Sequence, residues 1–384
     1  MFSNVRGRGR LAAMIGVCAA GVIAAAGVTA TGASAGAAVA QSQARVPWAA
    51  VGPGWELVEY TNGTPAKPAP ATLYLVSPGG TRYSLHTWRS SASAPSLVDW
   101  SGDKTRALFY ENAGNQMMQL NLLTGKQSSW FRLAGQAVTA GYTRPAGLNI
   151  LGVRANGSVV TLARYSLTGK LVKVLATSTD LSLNGVDSAD GTTLAVSGST
   201  GLELISNTGR VIGQLPVPGT DPKMGCSPVR WWNAGTVLSQ CIGKKAAIAR
   251  LWLVPVSGAR PVALTPQRTQ PGYDLGDIDA WRLSSGLYLQ SAGACGTLEF
   301  NRQNANGSVT PVKVPGTLNV STRLVTALGA RLLVDAITGC GGSNSLLWFN
   351  PGTRAGQWLF KTPAKAFGVL GVVPYYTREK APAL

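Results

Sequence analysis

Beyond residue 45 the apolar positions fall in short runs, and glycine-containing turns close them at regular intervals. Leu73-Tyr74-Leu75-Val76 runs into Ser77-Pro78-Gly79-Gly80, Leu120-Asn121-Leu122 into Leu123-Thr124-Gly125-Lys126, and Leu162 to Ser166 into Leu167-Thr168-Gly169-Lys170. Leu202-Glu203-Leu204-Ile205 leads to Asn207-Thr208-Gly209-Arg210, and Leu251-Trp252-Leu253-Val254 leads to Ser257-Gly258. Leu298-Glu299-Phe300 leads to Asn306-Gly307, and Leu346-Leu347-Trp348-Phe349 to Pro351-Gly352. The turn glycines Gly79, Gly125, Gly169, Gly209, Gly258, Gly307 and Gly352 stand 46, 44, 40, 49, 49 and 45 residues apart. Tight hairpins need a positive φ, which glycine adopts without a Cβ clash. Ahead of each run lies another apolar stretch: Trp55 to Tyr60, Ala107 to Tyr110, Leu148 to Val153, Thr193 to Val196, Val237 to Gln240, Leu287 to Leu289 and Leu332 to Val334. These stretches do not alternate apolar with polar, as expected of strands covered on both faces.

A repeat of about 40–50 residues built from short strands is the period of a four-stranded propeller blade. No amphipathic stretch of helical period follows Ala40. The pattern therefore predicts an all-β chain, a seven-bladed β-propeller of four-stranded antiparallel blades over residues 46–376, with a C-terminal tail at 377–384. Units that cannot bury their faces alone must stack, and a ring leaves only short edges. Ala366 to Val373 is apolar and has no hairpin after it. It is expected to complete the first blade and close the ring.

Asp99-Trp100-Ser101-Gly102-Asp103-Lys104-Thr105-Arg106-Ala107-Leu108-Phe109 resembles the W-S-x-D-G-x-x-I-x-F core of TolB-type and WD-like propeller repeats. Weaker echoes stand at Val186-Asp187-Ser188-Ala189-Asp190-Gly191 and Val229-Arg230-Trp231-Trp232. The dipeptide that names the WD repeat is not found at the ends of the third strands. The chain is also similar to secreted propellers of Gly/Ala-rich actinobacterial proteomes, a likeness that brings no assigned activity. The resemblance implies a propeller that binds other molecules on its faces.

The N-terminal region reads as a targeting segment. Arg6, Arg8 and Arg10 form a charged start, Leu11 to Ala30 is uncharged, and small-residue cleavage patterns follow at Ala33-Ser34-Ala35 and Ala38-Val39-Ala40. Residues 1–40 are therefore expected to be a signal peptide, with 41–45 a flexible N-terminus. Cleavage after Ala35 and retention as an anchor are the alternatives. The mature chain is then secreted, with no transmembrane span and a monomeric state expected. The whole chain carries 34 basic and 16 acidic residues; without the three leader arginines, 31 against 16 leaves +15. Such a balance favours anionic partners. The Lys and Arg residues are scattered, so no specific nucleic-acid contact is expected.

Four cysteines follow the leader: Cys226, Cys241, Cys295 and Cys340. An even count in an exported chain reads as two disulfides. Cys226 precedes the first strand of its blade and Cys241 ends the second, so antiparallel pairing brings them together. Cys295 and Cys340 follow the second strands of consecutive blades, so these two form the other expected pair. The spacings lack the short pairs of a zinc site, and no metal or cofactor is expected.

His86 is the single histidine, and it lies on an outer strand without a G-x-S-x-G elbow elsewhere. Asp187, Asp190, Asp274, Asp277 and Asp279 lie near strand starts, where aspartate also caps turns. A cation site drawn on Asp274, Asp277 and Asp279 lacks the spacing of a calcium loop. The long loops 62–71, 215–228 and 264–277 share one face and carry a candidate ligand set: Lys223, Lys244, Lys245, Arg268 and Tyr273. On the opposite face Arg82, Lys126, Lys170, Arg210 and Arg260 follow the hairpin glycines as a basic rim. These features point to a binding or scaffold module without evident catalytic chemistry, whose partner is an unknown protein or an anionic cell-envelope polymer. The alternative is a propeller-fold hydrolase or lyase acting on extracellular polysaccharide. Convergence of two or more acidic residues beside an aromatic wall would separate the second from the first.

Overall fold

The computed structural model describes residues 46–375, apart from 65, 112–114, 134–135, 180–182, 245–247, 268–273, 294–295, 338–342 and 364. Among the described residues there is no α-helix. The strands β1 (Glu56–Thr61), β2 (Ala71–Val76) and β3 (Arg82–Trp88) follow one another antiparallel. Next come β4 (Ser96–Trp100), β5 (Arg106–Glu111) and β6 (Gln116–Asn121), with Gln127 and Phe131 bridging to the outer side of β6. The third unit is β7 (Gln136–Tyr142), β8 (Ile150–Asn156), β9 (Val159–Tyr165) and β10 (Leu171–Ser178). The fourth is β11 (Gly185–Asp187), β12 (Thr193–Ser197), β13 (Gly201–Ser206) and β14 (Val211–Pro216). It is followed by β15 (Cys226–Asn233), β16 (Thr236–Ile242), β17 (Ala249–Pro255) and the short β18 (Val262–Ala263). Then come β19 (Asp274–Leu283), β20 (Gly286–Gly293), β21 (Leu298–Gln303) and β22 (Val309–Pro311). The strands β23 (Ser321–Leu328), β24 (Arg331–Ile337), β25 (Asn344–Asn350) and β26 (Ala355–Phe360) form a further unit. Last, β27 (Gly368–Pro374) pairs antiparallel with β1 on the side away from β2, so the end of the chain supplies the missing strand of the first unit.

Hairpin chemistry sets these elements. In the turn between β4 and β5, Asp103 Oδ1 accepts from Ser101 Oγ at 2.6 Å, Thr105 N at 3.0 Å and Thr105 Oγ1 at 2.8 Å. Ser188, Asp190 and Thr192 repeat the same three bonds between β11 and β12, at 2.6, 3.0 and 2.9 Å. The repeat signature and its weaker echo are thus one Asx-turn device used twice. The glycine ladder holds at Gly125, Gly169, Gly209, Gly258 and Gly307, all at positive φ. It shifts at both ends. In the β2–β3 hairpin the left-handed residue is Gly80 rather than Gly79, and in the β25–β26 hairpin it is Arg354 rather than Gly352.

Every hydrophobic cluster joins two successive units. Leu57, Leu73 and Leu75 meet Trp100 and Phe109. Leu162 and Leu175 meet Leu194 and Ile205, and Trp232 and Leu251 meet Ala280 and Leu289. At the far end Leu333, Trp348 and Phe360 pack on Val58, Val76 and Val369 of the first unit. Both faces of a unit are therefore buried, which accounts for the non-alternating apolar runs.

Cys226 and Cys241 lie directly opposite in the β15–β16 register, with Cα atoms 4.2 Å apart and sulfurs bonded. The second expected pair, Cys295 and Cys340, lies outside the described residues, as do the expected signal peptide and tail. The Cys226–Cys241 bond closes a loop of 15 residues. Replacing both cysteines with serine should lower unfolding free energy by about 3 kcal/mol in the chain-entropy model, read from urea denaturation. A double variant with unchanged stability would show that the strand pairing alone holds this hairpin.

Candidate functional site

The first strands of consecutive units carry charged side chains, and these reach across to the neighbouring unit. Glu59 Oε2 accepts from the backbone N–H of Leu97, 38 residues on. Asp99 Oδ2 accepts from Tyr142 N at 2.6 Å, 43 residues on, and its carboxylate pairs with Arg144 at 3.1 Å. Asp187 Oδ2 in turn accepts from the backbone N–H of Arg144 at 3.1 Å, again 43 residues away. Trp231 Nε1 donates to Val186 O, and Arg230 Nε pairs with Asp279 at 3.1 Å. From Asp99 onward the separations of 43, 43, 45 and 49 residues match the sequence repeat, because each of these bonds joins the first-strand regions of adjacent units.

Four of these first strands, β4, β7, β11 and β15, enclose a cavity of about 330 Å³. Asp99, Tyr142, Arg144, Asp187, Arg230 and Trp231 are among its lining residues. Two glycines allow the Arg144 segment to sit there. A Cβ on Gly102 would fall 1.7 Å from Pro145 O, and one on Gly191 would fall 1.8 Å from Arg144 O. Only glycine lets both hairpins close on this segment. Arg144 thus receives Asp99 through its side chain and presents its amide to Asp187. Its guanidinium also donates to Trp100 O at 3.1 Å.

Burial governs the electrostatics of the shifted groups. Burial pushes the Asp187 carboxyl above the ordinary range, against the pull of the Arg144 amide, Arg164 and Arg144. Its Oδ1 is buried without a hydrogen-bond partner among the described residues. Burial raises Asp279 as well, opposed by Arg230, whose guanidinium stacks 3.7 Å from the Trp281 ring. The Tyr142 hydroxyl, raised by burial and then by Asp99, stays protonated and donates to Gln119 at 3.0 Å.

The residues singled out from sequence are distributed differently. Lys223 and Lys244 are exposed, on the β14–β15 and β16–β17 connections. Lys245, Arg268 and Tyr273 lie outside the described residues. Lys126, Lys170, Arg210 and Arg260 are exposed after the third strands of their units. Arg82 instead folds over the Phe360 ring at 4.1 Å and donates to Leu359 O, tying the first unit to the last. His86 hydrogen-bonds Gln127 at 2.8 Å and packs against Trp88, away from the cavity. The Asp277 carboxylate accepts from Ser291 at 2.8 Å and Asp279 holds Arg230, so these two are engaged separately. Asp99, Arg144 and Arg230 were not among the sequence candidates. Asp99 begins the segment that carries the repeat signature, whereas nothing local marks Arg144.

No protein-family model and no curated protein sequence matches the chain. Solved structures do resemble it. A prolyl endopeptidase superposes with a TM-score of 0.52 at 14% identity, over 79% of this chain and 49% of that one. A Mycobacterium tuberculosis puromycin-hydrolysing peptidase gives 0.50 at 15% identity, over 79% and 53%. The fold is a β-propeller. TolB from Acinetobacter baumannii is also similar, with a TM-score of 0.45 at 13% identity over 84% of this chain and 66% of that one. The chain spans about half the length of the two peptidases. These findings correct the expectation of a pure binding or scaffold propeller. Two of the similar structures, at TM-scores of 0.52 and 0.50, are peptidases, and two acidic side chains line the cavity beside Tyr142 and Trp231.

Two glutamates of β1 provide a test of the electrostatics. Glu56 is fully buried with neither carboxyl oxygen partnered among the described residues, and burial holds its pKa well above the ordinary range. Burial likewise raises Glu59 to about 8, opposed by the Leu97 amide. A folded pKa raised above the unfolded value means that the folded state holds the proton more tightly. The associated stability is therefore full below the unfolded pKa and is lost as pH rises through about 8. Unfolding free energy should fall by about 4 kcal/mol between roughly pH 4.5 and pH 9 from Glu59 alone. Glu59→Gln should flatten that fall in urea titrations, and a variant with the wild-type slope would show that Glu59 titrates normally.

Proposed function

We propose that this chain is an exported, seven-bladed propeller of hydrolase type, spanning residues 46–376 and closed by β27. Its substrate enters the cavity between β4, β7, β11 and β15. The observation that carries this reading is the meeting of two carboxylates, Asp99 and Asp187, on the single residue Arg144, in a cavity walled by Tyr142 and Trp231. Support for the closed ring comes from β27 pairing with β1 and from the apolar cluster that joins the last unit to the first.

The chemistry is acid–base hydrolysis by a carboxyl pair. Asp187, whose carboxyl burial raises, is the group placed to give a proton to the leaving amine. Asp99, paired with Arg144, orients the attacking water and takes its proton as the water oxygen adds to the amide carbonyl and the C–N bond then breaks. Arg144 holds both acids in register, and Trp231 offers a flat apolar face for the substrate. The similar propellers belong to a prolyl endopeptidase and a puromycin-hydrolysing peptidase, which favours an amide bond over the polysaccharide expected from sequence.

The experiment is hydrolysis of a panel of chromogenic prolyl amides, puromycin and nitrophenyl glycosides by the purified chain. Amide cleavage is expected, slowed at least about 100-fold by Asp187→Asn, the usual scale for losing a general acid. Because the protonated form is the active one, the rate should decline as pH rises through the raised pKa of Asp187. Lys170→Gln, on an exposed hairpin, should leave the rate unchanged. Absence of amide hydrolysis, or full activity in Asp187→Asn, would reject the reading.

A further inference from the structure

A larger cavity lies away from these acids, at the outer edge between the fourth and fifth units. It is a groove of about 570 Å³. The wedge opens because the outer strand of the fifth unit is stunted. β18 pairs with β17 only through Trp252–Ala263 and Leu253–Val262, whereas β14 runs for six residues and ends its sheet. Neighbouring blades diverge outward, and here nothing fills the gap between β14 and the β17–β18 hairpin among the described residues.

The walls are proline. Pro216 and Pro218 stand on one side and Pro255 and Pro261 on the other. Proline has no backbone N–H to give to an added strand, so at Pro216 and Pro218, where β14 ends beside the groove, the ladder cannot be continued. It offers rigid apolar surface instead, and Val262 at 61% exposure extends that surface outside the groove. An extended chain would pack here by side chains rather than by strand addition.

The charges fix the occupant further. Lys244 lies five residues before β17 and Arg260 five after it, so the two exposed cations lie beyond opposite ends of the same strand. β17 is seven residues long, or about 23 Å at ~3.3 Å per residue. A polyproline-type chain rises ~3.1 Å per residue, so about eight residues would run the length of that strand between the two cations. We infer that this groove is a docking site for an extended, proline-rich segment of a partner protein with an acidic residue at each end. Lys244 came from the predicted ligand set and Arg260 from the predicted basic rim; the groove unites one residue of each. The inference is independent of the hydrolytic reading, since none of these residues lines the inner cavity.

The probe is a fluorescent octapeptide with blocked ends, alternating proline and aliphatic residues between an N-terminal Asp and a C-terminal Glu, titrated by anisotropy with the whole chain. Saturable binding is expected, weaker at high salt. Lys244→Glu and Arg260→Glu should each weaken it by about tenfold or more, and the same peptide ended by lysines should not bind. Ala259→Trp, placed on an exposed lining residue to fill the groove, should abolish binding while retaining the wild-type melting profile. Absence of binding up to about 1 mM, a difference of about −4 kcal/mol from the standard state, would overturn the inference. So would equal binding of the lysine-ended peptide, or variants that melt normally and bind as tightly as the wild type.

Discussion

Each four-stranded unit of this protein has two apolar faces and no means of covering either by itself. The next unit must do it. Everything else in the structure answers to that constraint. The middle strands read as continuous apolar runs because neither of their faces meets water, and each cluster of buried residues draws its members from two units at once. Asp99 and Asp187 on the inner strands find partners one repeat away for the same reason, since the neighbouring unit supplies the nearest backbone and side chains. An isolated unit would leave both its apolar surface and its carboxyls unsatisfied.

The repeat was legible in the sequence because glycine and aspartate have local jobs. A turn that needs a left-handed residue declares itself within four positions, and the Ser-x-Asp-x-Thr network at Ser101 and Ser188 is wholly local. The Cys226–Cys241 bond was legible too, since strand ends fixed its register. The exceptions at Gly79 and Gly352 arose where a neighbouring residue, Gly80 or Arg354, took the left-handed position. The site was much less legible. Arg144 touches Asp99 and Asp187, which are 45 and 43 residues away, and no short window contains that meeting. The aspartates could be seen as acids near strand starts; which of them share a neighbour could be learned only in three dimensions.

The expectation of a scaffold rested on what the sequence lacked: one histidine, no nucleophile elbow and few acids. Burial changes the weight of that inventory. A few carboxyls held in dissimilar surroundings can divide acid and base roles among themselves, and a scarcity of titratable groups does not measure their reactivity.

The pairing of β1 with β27 has a temporal side. Glu56 lies opposite Pro374 in that ladder, so the first unit waits for a strand more than three hundred residues downstream. Contacts of such long range close late, after the entropy of the intervening chain has been overcome. Until then β1, with its two carboxyls, has an open edge in water, and the glutamates that are neutral when covered are free to ionise. The arrival of the last strand therefore expels water and fixes protons in a single event, so that folding should take up protons at its final step rather than at its first.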